Sequence, residues 1–179
     1  EYLHSYISVL PYNELGAAAA AYNADEKELC RLDEIYSAVK TPFEIRSGSE
    51  KVTRRFFKIC NNGRESFTGL YKSLTEQGIC KGHQCIAYGL YMRDNGIELS
   101  EGLAVYGYSI CSAIVTNCVK LVPLSQLAGQ KILGESFELI SSASEKALFT
   151  DINDIGISGA GFDLRAMQHE RLYSRQYMS

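Results

Sequence analysis

The sequence predicts an all-α protein, a compact single-domain helical bundle with an extended C-terminal tail. Nearly every segment carries apolar residues at helical spacing, and alternating apolar and polar runs are too short for strands. A length of 179 residues suits one domain, and 46% hydrophobic with 22% charged residues is ordinary for a globular protein. We expect a helical domain over residues 1–163, followed by a short helix and tail over 164–179.

Caps and helix breakers define the first four predicted helices. Pro11 separates the first two, and Asp25 can cap the third, whose early Glu26 and Glu28 suit the helix dipole. Pro42 is tolerated in the first turn of the fourth, which should end at the Asn-Asn-Gly sequence. The predicted ranges are 1–10, 14–23, 25–39 and 41–61.

Five more helices are expected in the second part of the chain. The glycines at 156, 159 and 161 indicate a loop, and a last short helix should begin near Asp163. The other predicted ranges are 64–77, 83–94, 98–122 and 124–148.

The segment 98–122 is the most apolar part of the chain. It carries no charge for 18 residues between Glu101 and Lys120, which is long enough to cross a membrane. Small and polar residues interrupt it, and no aromatic belt or basic cluster flanks it. We therefore predict a helix buried in the core. Its small residues would also suit the seam of a homodimer.

Charge and cysteine usage narrow the class of protein. A net charge of −3 and a pI near 5.7 argue against a partner that is nucleic acid or an anionic membrane. The chain opens without the cationic and apolar pattern of a signal peptide, so we expect a cytoplasmic protein. Its six irregularly spaced cysteines then read as reduced thiols, although an even count also suits disulfides.

Cys80, His83 and Cys85 form the best candidate metal site. Thiolate and imidazole ligands suit zinc or nickel, so a metal-binding protein or hydrolase centred on these residues is the alternative function. The spacing matches no zinc finger or ribbon, and no second pair completes four ligands. We favour a structural role, and we predict neither catalytic residues nor a stably bound cofactor.

Two segments have the composition of protein-binding surfaces. Lys120 ends the apolar stretch beside Pro123, and Gln126 and Gln130 share one face of the next helix. This pattern indicates either a polar patch for another protein or a solvated helix end. The last thirteen residues, 167–179, carry tyrosines, arginines, methionines and a leucine, which are typical of interface anchors.

Four markers, in order, carry a resemblance to a known family. They are Glu44-Ile45-Arg46-Ser47-Gly48-Ser49 with Arg54-Arg55-Phe56-Phe57 after it; His83 with Gly89 and Gly96; the sequence NCVKLVPLSQLAGQ at 117–130; and the ending HERLYSRQYMS. The chain resembles the UreF family of urease accessory proteins, especially its Helicobacter branch. Thr53 departs from that pattern, because the family usually has glycine there.

The resemblance implies a non-enzymatic scaffold that matures urease. Such a protein dimerises, binds the accessory protein UreD (UreH in Helicobacter) and recruits the GTPase UreG, which binds the GTP. The complex then passes nickel to apo-urease. The resemblance also implies a further N-terminal segment that this sequence lacks. It assigns the UreD/UreH contact to His169, Glu170, Tyr173, Arg175 and Tyr177, and the UreG contact to Lys120, Gln126 and Gln130.

Overall fold

A computed structural model describes residues 1–60, 63, 65–157 and 159–173, and within these ranges the protein is all-α, as predicted. Short 3₁₀ turns at Leu10–Tyr12 and Ile152–Asp154 supplement the α-helices. The helices are α1 Tyr2–Val9, α2 Glu14–Asn23, α3 Glu26–Val39, α4 Phe43–Ile59, α5 Phe67–Glu76, α6 Gln84–Asp94, α7 Leu99–Leu121, α8 Gln126–Glu135, α9 Phe137–Ala147 and α10 Ala160–His169.

The crossing of α2 and α6 lies at the centre of the bundle. The alanine run of α2 is almost wholly buried, and small side chains let a neighbouring helix approach closely. Gly89 of α6 lies against the backbone of Ala18, so closely that a β-carbon there would overlap the Ala18 carbonyl. Helices α3, α7 and α9 pack against α2, helices α4, α5 and α7 pack against α6, and α1 packs against α7 and α9.

The N-cap predicted at Asp25 is present, whereas Asn61 and Asn62, in the predicted end signal of the fourth helix, lie outside the described residues. The Asp25 side chain accepts a hydrogen bond from the Glu28 backbone N–H, and the Glu28 carboxylate accepts one from Asp25, which makes a capping box at the start of α3. Helix α4 begins immediately after Pro42. Each of these signals therefore sets a helix boundary in the folded chain.

The predicted helix over 124–148 is wrong, because the chain divides there into α8 and α9 at Ser136. Ser136 is fully buried, and its hydroxyl donates to the Ile132 carbonyl at 2.8 Å, a back-bond that bends helices. The bend turns Leu133 of α8 and Ile140 of α9 both into the core. The predicted loop over 151–161 contains the second 3₁₀ turn, and α10 begins at Ala160, ahead of Asp163.

Helix α7 is less buried than the sequence predicts. By length and composition it is apolar enough to cross a membrane, yet only 33% of its most apolar 18-residue window is buried in the bundle. The core helix of a soluble protein passes the same test, and α7 packs against α2, α8 and α9. One stripe, which includes Leu103, Tyr106 and Cys111, faces the core. The predicted burial in the core therefore applies to one stripe of α7 and not to its other faces.

Candidate partner-binding surfaces

Helix α10 is held across two distant parts of the chain. At its beginning the Phe162 ring packs edge-to-face against Tyr2 and Tyr6 of α1, with centroids 5.2 Å and 5.7 Å apart. Further along, α10 packs against α4. The predicted boundary between residues 163 and 164 thus falls inside a continuous helix.

The end of α10 contacts the start of α4 through two polar interactions. The imidazole Nδ1 of His169 lies 2.6 Å from Oε2 of Glu44, and this contact is an ion pair when the imidazole is protonated. The Glu170 carboxylate accepts a hydrogen bond of 2.9 Å from the backbone N–H of Phe43, in the first turn of α4. A carboxylate there also suits the positive end of the helix dipole. Two of the four markers, the ending and the Glu44 segment, therefore meet in space.

Apolar side chains of α10 and of the residues after it are open to solvent. Tyr173 is fully exposed, while Leu164, Met167 and Leu172 are each more than 40% exposed. A protein surface rarely gathers so many large apolar groups on one short segment without a partner. Arg175 and Tyr177 lie outside the described residues.

The corner between α7 and α8 presents the second predicted surface. Lys120, Gln126 and Gln130 are all exposed, and Leu127 beside them is 81% exposed. Gly129 brings α8 close to α7, since a β-carbon there would lie 2.8 Å from a methyl group of Val119. The two glutamines therefore project outward from a helix whose opposite face is fixed.

An open groove of about 490 Å³ lies between α1, α4 and α7, and the sequence did not predict it. Its walls are largely apolar and include Ile45, Val52 and Ile110. The Lys40 ammonium and the Glu14 carboxylate, 2.8 Å apart, are among its polar lining groups. The unburied face of α7 contributes to this groove, and the only sequence signal for it is the small residues among the apolar ones of α7.

The structure gives the side chains of Cys80, His83 and Cys85 separate partners. Cys80 Sγ lies 3.9 Å from Cys30 Sγ, and His83 Nε2 lies 2.7 Å from the Ser37 hydroxyl. Cys85 is buried, and this burial raises the pKa of its thiol to about 12. Burial also lowers the pKa of His83. Over the described residues, no three potential ligands gather in a group that would hold a metal ion.

One of the four markers has a structural role, namely the one formed by His83, Gly89 and Gly96. His83 is fully buried at the start of α6, Gly89 allows the crossing with α2, and Gly96 has a φ of +63° just after α6 ends. A positive φ favours glycine because it lacks a β-carbon. This marker therefore specifies the path of α6 through the bundle.

The arginines of the Glu44 segment have different partners. Arg46 donates to the Lys40 carbonyl at 2.7 Å and so fixes the turn before α4. Arg54 lies 3.5 Å from Glu50, one turn earlier on α4. Thr53, which replaces the family glycine, is fully buried and donates to the Ser49 carbonyl.

Comparison with known proteins agrees with these markers. A family model described as UreF matches residues 1–136. Urease accessory protein UreF of Actinobacillus pleuropneumoniae serotype 5b is 32% identical over 173 residues, covering 94% of this chain and 76% of that protein. The Haemophilus influenzae protein of the same name is 33% identical over 174 residues, covering 94% and 74%. That of Paenarthrobacter aurescens is 31% identical over 152 residues, covering 83% and 67%. Because the family model matches most of the chain, and relatives above 30% identity cover up to 94% of it, this chain belongs to the UreF family of urease accessory proteins.

Proposed function

We propose that this protein is a cytoplasmic scaffold of the complex that delivers nickel to apo-urease. It binds UreD/UreH through its C-terminal segment and recruits the GTPase UreG through the corner between α7 and α8. It carries out no catalytic step of its own, since GTP is bound and hydrolysed by UreG. Nickel is the cargo of the assembled complex.

The observation that carries the proposal is the anchored but exposed C-terminal segment. His169 and Glu170 fix the end of α10 to α4, while Tyr173 beyond them is fully exposed. A fixed base with exposed aromatic and apolar groups favours tight capture, because little freedom remains to be lost when a partner binds. Arg175 and Tyr177 would extend this contact.

A homodimer is part of the same proposal. Across α7 and α9, Val105, Tyr108, Phe137 and Leu139 are each at least 39% exposed, and the rings of Tyr108 and Phe137 lie 5.6 Å apart. An apolar face of this kind is typical of a surface that a second protein covers. A second copy of this chain is the occupant that we propose.

Size-exclusion chromatography with light scattering tests the scaffold function. The chain is mixed with purified UreD/UreH, first whole and then without residues 174–179. We expect a complex with the whole chain and none with the truncated one. Arg175→Ala should give the same loss while leaving the circular dichroism spectrum unchanged.

Arg165→Ala is the matched control, because Arg165 is an exposed arginine of α10 that bonds Gln168 on its own helix. Its complex should survive. Failure of the whole chain to bind would contradict the proposed partner. An unfolded Arg175→Ala variant would instead assign the tail a structural role.

A further inference from the structure

We propose that Cys30 and Cys80 are a thiol modification site, at which an oxidant of the disulfide class converts the pair into an intramolecular disulfide. The two Sγ atoms lie 3.9 Å apart, in van der Waals contact, although the residues are 50 positions apart in the chain. A disulfide needs a sulfur–sulfur distance of about 2.05 Å. Side-chain rotation of the more exposed cysteine supplies the short remaining approach. This inference does not depend on the proposed function.

The buried carboxylate of Asp33 holds the two cysteines together. Asp33 lies one turn after Cys30 on α3, and it accepts hydrogen bonds from the backbone N–H groups of Lys81 at 2.7 Å and Gly82 at 3.1 Å. The loop that carries Cys80 is therefore attached to the same face of α3 that carries Cys30.

The loop is also fixed from its other end. The backbone N–H of Cys80 donates to the Leu74 carbonyl at the end of α5, at 3.2 Å. The Tyr71 hydroxyl donates to Asp33 at 2.5 Å and accepts from the His83 backbone at 2.8 Å. Because both sides of Cys80 are tied to the fold, the sulfur contact is a lasting feature and not a chance encounter of two mobile side chains.

The two thiols differ in their accessibility to an oxidant in solution. Cys30 is half-buried and lines a shallow surface depression with Asp25, Glu26 and Lys27. Cys80 is only 2% exposed, and burial raises the pKa of its thiol. A small disulfide in solution therefore reaches Cys30 first, and Cys80 acts second.

The chemistry balances with glutathione disulfide as the oxidant. The Cys30 thiolate attacks one glutathione sulfur, which forms a mixed disulfide and releases one glutathione thiol. The Cys80 thiolate then attacks Cys30 Sγ, forms the intramolecular bond and releases the second glutathione thiol. The protein loses two protons and two electrons, and glutathione disulfide gains both.

Mass spectrometry of the whole chain after exposure to glutathione disulfide tests the site. We expect the six free thiols to fall to four, the intact mass to fall by two hydrogens, and digestion to give one peptide pair joining Cys30 to Cys80. Dithiothreitol should restore all six thiols. Cys30→Ser should abolish the bond, whereas Cys118→Ser, another half-buried cysteine, should leave it unchanged.

Thermal unfolding provides a second readout. The bond closes a loop of about 50 residues, which should raise the unfolding midpoint by roughly 10 °C in the oxidised wild-type chain. Cys30→Ser should show no such shift. Stable glutathione adducts without a Cys30–Cys80 peptide, or a bond between other cysteines under native conditions, would overturn the proposal.

Discussion

His83 and Asp33 show how single buried polar residues define this fold. The Asp33 carboxylate accepts three hydrogen bonds, and His83 fills the space behind it with its ring 5.0 Å from that of Tyr36. The His83 Nε2 atom has the Ser37 hydroxyl as partner, while Nδ1 is buried with no hydrogen-bond partner among the described residues. Burial removes the water that would stabilise a charged imidazolium, so this histidine is held in its neutral form.

The lowered pKa of His83 predicts that the protein loses stability as the pH falls. Below about pH 6.5 the unfolded chain binds a proton at this histidine while the folded chain does not, so protonation favours unfolding. We expect the free energy of unfolding to fall by up to about 1.4 kcal/mol per pH unit between pH 6.5 and the lower folded-state pKa. Urea denaturation at about pH 7.5, 6.5 and 5.5 measures this change in the free energy of unfolding, because histidine titrates within that range.

Two variants isolate the contribution of His83. His83→Asn removes the titrating group, so its stability should depend less steeply on pH than that of the wild type. His4→Asn removes an exposed histidine and should keep the wild-type slope. Equal slopes in wild type and His83→Asn would contradict this origin of the pH dependence.

The crossing of α2 and α6 is the element-scale feature on which the bundle depends. Both helices are buried on nearly every side, and their closest approach falls at Ala18 and Gly89. Since backbone atoms form this contact, the neighbouring helix cannot make room by changing a rotamer. Any side chain at position 89 must push the two helices apart.

Gly89→Ala should therefore destabilise the protein, by about 2 to 3 kcal/mol. Gly134→Ala is the matched control, because Gly134 is an exposed helical glycine with open space around it. Alanine favours the helix, so this variant should gain about 0.5 to 1 kcal/mol. Urea denaturation followed by circular dichroism compares both. A neutral Gly89→Ala would show that the crossing is not closely packed.

Local signals predicted the helices well, and tertiary contacts account for the errors. The capping residues at 25 and 42 act locally, so their helices begin where the sequence indicates. The bend at Ser136 could not be predicted, because the apolar spacing continues through it and only the shared packing of α8 and α9 on α7 makes two helices favourable. The partial exposure of α7 likewise depends on which neighbours cover it.

At the scale of the whole molecule, the C-terminal surface and the corner between α7 and α8 lie on different helices, and α1 connects those helices. The Tyr2 ring contacts Phe162 of α10, and its hydroxyl pKa is raised by burial and then by nearby Cys118 of α7. Composition alone indicated both surfaces. The contact between His169 and Glu44, which anchors the C-terminal surface, could not be predicted from composition, because the two residues are 125 positions apart in the chain.

Lys120→Ala should separate the two binding activities. Lys120 is exposed at the end of α7, so its loss should leave the fold intact, weaken UreG recruitment several-fold and spare UreD/UreH binding. Lys131→Ala, which removes an exposed lysine paired with Glu135 on its own helix, should affect neither. Pull-down titrations with each purified partner measure both affinities. Equal loss of both partners would point to a folding defect.

The long sequence separation of His169 and Glu44 also sets an order of events during biosynthesis. His169 is translated 125 residues after Glu44, and contacts between distant residues form slowly. A newly made chain therefore passes through a stage in which α4 is present and α10 is undocked. Because α4 fixes the C-terminal segment in the folded protein, we expect capture of UreD/UreH to follow the completion of the chain and not to precede it.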